Sequence, residues 1–239
     1  MKKYSIIIKM LPIYCIATVL LLLIAIKGSQ AVTTYVANQQ IIRKNCIIID
    51  PGHGGIDGGA TSYSGVLESQ LNLEIAKRLN DLFHLLGIDT IMTRESDESI
   101  HIQGTTIAQK KVSDLKERVR IVNQKENALL ISIHQNHYSD NRYYGPQVFY
   151  KMGQGSQSLA MQAQTALNNA LCKESNRKAK QSKDIYLLDK INTNGILVEC
   201  GFLSNPAEDL KLQNADYQKK LCIVIASVTS NYLNNDKIT

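Results

Sequence analysis

Three side chains stand at matching places in three separate apolar runs of this 239-residue chain. His53 follows Cys46-Ile47-Ile48-Ile49 in IIIDPGHGG, His134 ends ALLISIH, and Glu199 ends GILVE. Each is the first ionisable group at or near the end of its run, Asp50 excepted. If the runs are strands of an open α/β sheet, their carboxyl ends share one edge, where such sheets bind ligands. Folding would then gather residues 53, 134 and 199, and would set Glu68 above the same edge at the start of a helix. Two imidazoles and a carboxylate are a ligand set for catalytic zinc, which keeps one position open for water. Hydrolysis of an amide also needs a carboxylate off the metal, to take a proton from water and pass it to the leaving nitrogen. This assigns His53, Glu68 and His134 to one Zn2+ and Glu199 to proton transfer. Spacing alone leaves Asp57 or His137 open in place of Glu68.

Gly52, Gly54, Gly55, Gly58 and Gly59 crowd around His53 and permit a sharp turn with a close backbone approach. A phosphate loop is excluded, because Asp57 stands where GxGxxG needs its last glycine and no GxxxxGK[ST] occurs. Cys200 follows Glu199, must point to the other side of the strand, and so does not pair with His134 as a nucleophile. His84 reads as a mid-helix packing or surface residue, and His101 as a loop residue without an obvious partner. The basic stretch NRKAKQSK (176–183) reads as a solvated turn, or as a contact for acidic peptides. Tyr143 and Tyr144 suit either a sugar-binding rim or core packing.

The elements that must position these residues follow from periodicity. Strands are expected at 46–49, 88–92, 128–133, 147–151, 184–188 and 195–198. Helices are expected at 68–86, 113–124, 157–172 and 217–233, with another starting at Asn205-Pro206. In the first helix Leu71, Ile75, Leu79, Leu82 and Leu86 share a face, and Gly87 stops it. In the third, Leu159, Ala163, Ala166, Leu167 and Ala170 point inward. Residues 95–112 read as a long polar loop. Strands alternating with helices predict an α/β fold: a twisted, mostly parallel sheet flanked by helices on both faces, in a single domain over 46–235.

Residues 1–31 differ from the rest. A basic start, the apolar run LPIYCIATVLLLLIAI and Ser29-Gln30-Ala31 form a signal peptide or an uncleaved N-terminal membrane anchor. Either places the remainder outside the cytoplasm, with membrane contact only through that segment. Residues 32–45 read as a linker. The formal charge of +6 is carried largely by Lys2, Lys3, Lys9 and Lys27; beyond residue 31, 23 basic residues face 21 acidic ones. Nucleic-acid binding has no electrostatic basis here. Cys46, Cys172, Cys200 and Cys222 lack CxxC spacing and read as buried small hydrophobes.

DPGHGGIDGGA, LESQLNLEIAKRL, MTRESD, DLKERVRIVN, ISIHQN and LVECGFLSNP occur here in that order. Together they resemble the zinc-dependent N-acetylmuramoyl-L-alanine amidases of the type-3 amidase family, over about residues 46–233. The resemblance implies one zinc, Glu68 rather than Asp57 or His137 as third ligand, Glu199 as catalytic glutamate, and peptidoglycan as substrate. NRYYGPQVFY and NRKAKQSKDIYLL are similar to a sporulation subgroup. That implies removal of stem peptides during muramic-δ-lactam formation in spore cortex, between the forespore and mother-cell membranes. INTNGI before LVE and His137 depart from the family pattern and bear on substrate preference. No wall-binding repeat or inserted plugging helix is evident, so an activating or targeting protein partner is expected. The competing readings are a peptidoglycan-binding protein without turnover and a zinc peptidase acting within the stem peptide.

Overall fold

In the computed structural model, residues 18–30 and 46–235 are described. The expected linker and most of the expected leader lie outside the described residues. Residues 18–30 form helix α1. Among the described residues no helix is long and apolar enough to cross a membrane. Helix α1 and residues 46–235 belong to separate units, and the second carries the sheet.

Six strands make that sheet: β1 (Cys46–Pro51), β2 (Thr90–Met92), β3 (Ala128–Asn136), β4 (Gln147–Tyr150), β5 (Lys180–Gln181) and β6 (Asn194–Phe202). Their spatial order is β2-β1-β3-β6-β4-β5. The pairings β1–β2, β1–β3, β3–β6 and β4–β5 are parallel, and only β4–β6 is antiparallel. The sheet is therefore mixed but mostly parallel, as expected.

The helices are α2 (Glu68–Leu85), α3 (Ile107–Asn123), α4 (Gln154–Leu171), α5 (Tyr186–Lys190), α6 (Pro206–Leu212) and α7 (Ala215–Asn235). Alternation along β1, β3 and β6 sends side chains to two faces. On one, Ile47, Ile49, Ile131, Ile133, Ile196 and Val198 meet Leu71, Ile75 and Leu79 of α2, Leu159 and Leu167 of α4, and Leu221 and Ile225 of α7. On the other, Ile48, Leu130 and Leu197 meet Val122 of α3 and Leu187 and Leu188 of α5. Continuous apolar runs in the central strands are what burial on both faces requires.

Helix α2 stops where Gly87, at φ +72°, takes the left-handed conformation. The Gly87 N–H donates to the His84 carbonyl and the Ile88 N–H to that of Phe83, which closes the last turn.

Helix α3 begins at Ile107, not 113. The Thr106 hydroxyl accepts from the Gln109 N–H while Gln109 reaches back to the Thr106 N–H, a capping box that starts the helix early. Residues 184–188 are not a strand. Leu187 and Leu188 are adjacent and both buried, which one helical turn permits and a two-faced strand does not. The edge strand is instead β5, inside the basic stretch. The 88–92 strand is confined to Thr90–Met92. Ala170 is exposed rather than inward. His101 does have a partner, Ser99 Oγ at 2.9 Å from its Nδ1. Cys172, Cys200 and Cys222 are buried and, like Cys46, free, as small hydrophobes would be.

Replacing Thr106 with Ala removes the cap and should cost about 0.5–2 kcal/mol in urea denaturation. No measurable loss would mean that α3 starts further along.

Candidate active site

His134 and Glu199 are register partners across β3 and β6, so their side chains leave the sheet side by side on one face. The register shifts just beyond them, ending regular pairing where the site begins. His53 lies two residues past β1, whose last residue Pro51 pairs with Ile133. Glu68 opens α2. These placements bring His53 Nε2 to 3.3 Å from Glu68 Oε1 and His134 Nδ1 to 3.0 Å from the same oxygen. The two imidazoles meet edge to face with centroids 5.0 Å apart. His53, Glu68 and His134 each offer a ligand atom within 4.8 Å of the others, a geometry that one metal ion fits.

The turn that carries His53 is strained and tightly held. His53 has φ +61°, rare for a side chain with a Cβ. Arg118 Nη2 donates to the His53 carbonyl at 2.7 Å, and its Nη1 to the Pro51 carbonyl at 2.8 Å. Arg94 donates to the carbonyls of Pro51 (3.0 Å), Gly52 (2.9 Å), Ser69 (2.9 Å) and Ser96 (2.9 Å). Two glycines are required by close approach: a Cβ on Gly52 would stand 2.2 Å from the His134 ring, and one on Gly59 2.6 Å from Glu68 Oε2.

Arg118 is buried and anchored at its other end by Asp50 and Asp114, each 2.6 Å away. Burial disfavours its charge, but the two carboxylates outweigh that and raise its pKa. Burial alone would raise the Asp50 carboxyl too. Arg118 and the hydroxyls of Thr93 and Ser132 prevail and hold it at about 2. Arg94, buried and beside Arg118, is lowered to about 10.

The two glutamates have opposite environments. Glu68 is buried, but hydrogen bonds from His134 and His53 hold its carboxyl far below the usual range. The N–H groups of Ala60 (3.0 Å) and Gln135 (3.1 Å) and the Asn72 amide (3.3 Å) add donors. Glu199 has no comparable donors: its Oε2 is buried without a hydrogen-bond partner. Burial raises its carboxyl to about 7; His134 and His53 draw it down less strongly, and Glu68 pushes it up. For His53 burial lowers the imidazole pKa, but hydrogen bonds to Asp57 and Glu68 overcome this and lift it to about 9.

The structure thus brings together all four residues singled out in the sequence. Asp57 lies against His53, 3.0 Å from its Nδ1, outside the three-residue cluster. His137 is exposed and also outside it. Cys200 is buried in the core on the opposite side from Glu199. Tyr143 and Tyr144 are half exposed; Tyr143 stacks on Phe202, and Arg177 from the basic stretch lies 4.9 Å over the same ring. The sequence reading missed Asp50, Arg94 and Arg118 as the frame of the site. The available signal was their placement in DPGHGGIDGGA, MTRESD and DLKERVRIVN respectively.

A family model described as N-acetylmuramoyl-L-alanine amidase matches residues 47–229. The chain belongs to that family. It is an amidase of peptidoglycan, and its reaction class is hydrolysis. The germination-specific N-acetylmuramoyl-L-alanine amidase of Bacillus subtilis (strain 168) is 40% identical over 178 residues, 73% of this chain and 74% of that protein. The CwlD amidase from Clostridioides difficile, solved in complex with the GerS lipoprotein, is 37% identical with a TM-score of 0.75, covering 79% of this chain and 98% of that one. An N-acetylmuramoyl-L-alanine amidase from Clostridium difficile 630 is 30% identical with a TM-score of 0.70, covering 80% and 97%. The likeness to CwlD and to a germination-specific amidase bears out the subgroup resemblance found in the sequence.

Asp50→Asn leaves the amidase with a buried guanidinium short of a partner and should cost about 3–5 kcal/mol. Because the folded-state value of Asp50 is depressed, its contribution is complete above about pH 4 and is lost as the pH falls toward about 2. Urea titrations at pH 7 and pH 3 should show a smaller acid-induced loss in the variant than in the wild type. Equal losses would contradict this account of Asp50.

Proposed function

We infer that His53, Glu68 and His134 hold one zinc ion and that Glu199 transfers protons as the N-acetylmuramic acid–L-alanine amide is cut. The observation that supports this reading is the convergence of three donor side chains with a fourth, undonated carboxylate beside them. Two imidazoles and a carboxylate suit zinc by donor chemistry. When bound, such an ion lowers the pKa of water in its open position and polarises the scissile carbonyl.

The rest is done by the chain. Glu68 stays ionised and is oriented by the donors from Ala60, Asn72 and Gln135, so its oxygen remains turned toward both imidazoles. Glu199, raised to about 7, can both accept and release a proton near neutrality, which is the balance an acid–base group needs. It takes a proton from the attacking water at its carboxylate and delivers it to the amide nitrogen, so that the peptide leaves as an amine. The products are a glycan with free muramic acid carboxyl groups and a peptide beginning at L-alanine.

The wider setting follows from the relatives. The germination-specific amidase and CwlD support a role in spore cortex, where removal of the peptide precedes muramic-δ-lactam formation. They also support action outside the cytoplasm, with residues 1–31 as the export or anchoring segment. A CwlD was solved together with a lipoprotein, which supports a protein partner for this chain.

Glu199→Gln should retain zinc while kcat on purified peptidoglycan falls about 10²–10⁴-fold. His53→Ala should lose both zinc and activity. Mass spectrometry of the digest should show peptides starting at L-alanine; cleavage inside the stem peptide would contradict the bond assignment. Near-normal turnover by Glu199→Gln would contradict its role.

A further inference from the structure

Asp57 is close to the cluster of His53, Glu68 and His134 but lies outside it, its carboxylate engaged by other groups. The chain reverses over Gly55 and Ile56. The Gly54 N–H donates to the Asp57 carbonyl at 2.8 Å and the Asp57 N–H to the Gly54 carbonyl at 3.1 Å. Gly55 supplies the left-handed residue of this reversal, at φ +56°. The two-residue loop folds Asp57 back against the imidazole of His53, four residues earlier. Asp57 Oδ2 lies 3.0 Å from His53 Nδ1, while the other ring nitrogen, Nε2, faces Glu68. Asp57 Oδ1 is held by Lys111 Nζ at 2.7 Å and by the Gly59 N–H at 3.4 Å.

A neutral imidazole has one N–H and one lone pair, and its partners decide which nitrogen carries which. An ionised carboxylate can only accept. Facing Nδ1, it keeps a proton on that nitrogen, so the proton the ring gives up when a metal binds is the one on Nε2, beside Glu68. Without it, the proton can sit on Nε2 and be donated to Glu68 across 3.3 Å, which removes the lone pair a metal needs. Lys111 extends this arrangement into α3, the helix whose Arg118 holds the backbone carbonyl of His53. One helix thus fixes both ends of the same residue, its main chain through Arg118 and its ring through Lys111 and Asp57.

We propose that Asp57 is a positioning residue that selects the Nδ1–H tautomer of His53, and that Lys111 holds the Asp57 carboxylate in place for that purpose. This rests on the reading of His53 as a zinc ligand. It gives separate duties to the two acidic side chains that touch His53: Glu68 shares the metal, and Asp57 sets the ring.

The test is zinc affinity of the full chain, measured by competition with a chromophoric chelator, for wild type, Asp57→Asn and Lys111→Met. Melting of the metal-free proteins serves as the folding control. The ring nitrogens of His53 in the zinc-loaded wild type are read by ¹⁵N NMR. Asp57→Asn should bind zinc about 10–100-fold more weakly, the usual effect of removing a partner behind a metal-bound histidine. Lys111→Met should show a smaller loss in the same direction. Its side chain is exposed, so the variant should fold and decides the matter if Asp57→Asn does not. The wild-type spectrum should show the proton on Nδ1. With one zinc bound per wild-type chain, affinities of both variants within about twofold of wild type would overturn the proposal, as would a proton on Nε2. A wild-type chain that binds no zinc would instead overturn the zinc reading itself.

Discussion

The buried guanidinium of Arg118 ties the functional edge to the sheet. Its hydrogen bonds run to two carboxylates, Asp50 and Asp114, and to two carbonyls, those of Pro51 and His53. A guanidinium out of water is costly unless its donors are satisfied and its charge is met. Here both conditions hold, and the carbonyls it fixes belong to the turn in which His53 has a left-handed backbone. Such strain persists only where the surroundings over-determine it. Arg94 completes the frame, holding the carbonyls of residues 51 and 52 together with that of Ser69 in α2. The turn after β1 and the helix that supplies Glu68 are thereby fixed to one another.

On this frame the site separates two glutamates by environment alone. Glu68 is surrounded by donors and keeps its charge; Glu199 sits within β6, three residues before its end, has a bare oxygen, and holds its proton more readily. Carboxylates whose surroundings push their pKa values apart take different tasks in one reaction. The register of β3 against β6 matters for the same reason. A slip of one residue would turn Glu199 to the far face and bring Cys200 in beside His134.

Much of this was legible in the sequence. Strands buried on both faces must read as apolar runs, so the polar residue that ends each run stands out, and His53, His134 and Glu199 were found in that way. The buried face of α2 at Leu71, Ile75 and Leu79 and its glycine stop followed from spacing, although Leu86, expected on that face, is exposed. What stayed hidden depends on contacts that spacing does not encode. Asp114 and Arg118 stand four apart on a helix, which reads as an ordinary solvent-facing pair. Nothing local says that Arg118 is buried, or that it reaches residues 50, 51 and 53. The start of α3 was readable in Thr106 and Gln109 but was obscured by the polar character of residues 103–111. The helical turn at 186–190 was not readable, because a short apolar run fits strand and helix equally.

The central claim is that His53, Glu68 and His134 jointly hold one metal ion. Anomalous diffraction at the zinc edge, from crystals of the protein grown with equimolar zinc, tests it most directly. The account predicts a single strong peak about 2.0–2.2 Å from one nitrogen of each imidazole and from a Glu68 oxygen. Zinc density on other side chains, or none at this edge of the sheet, would contradict it.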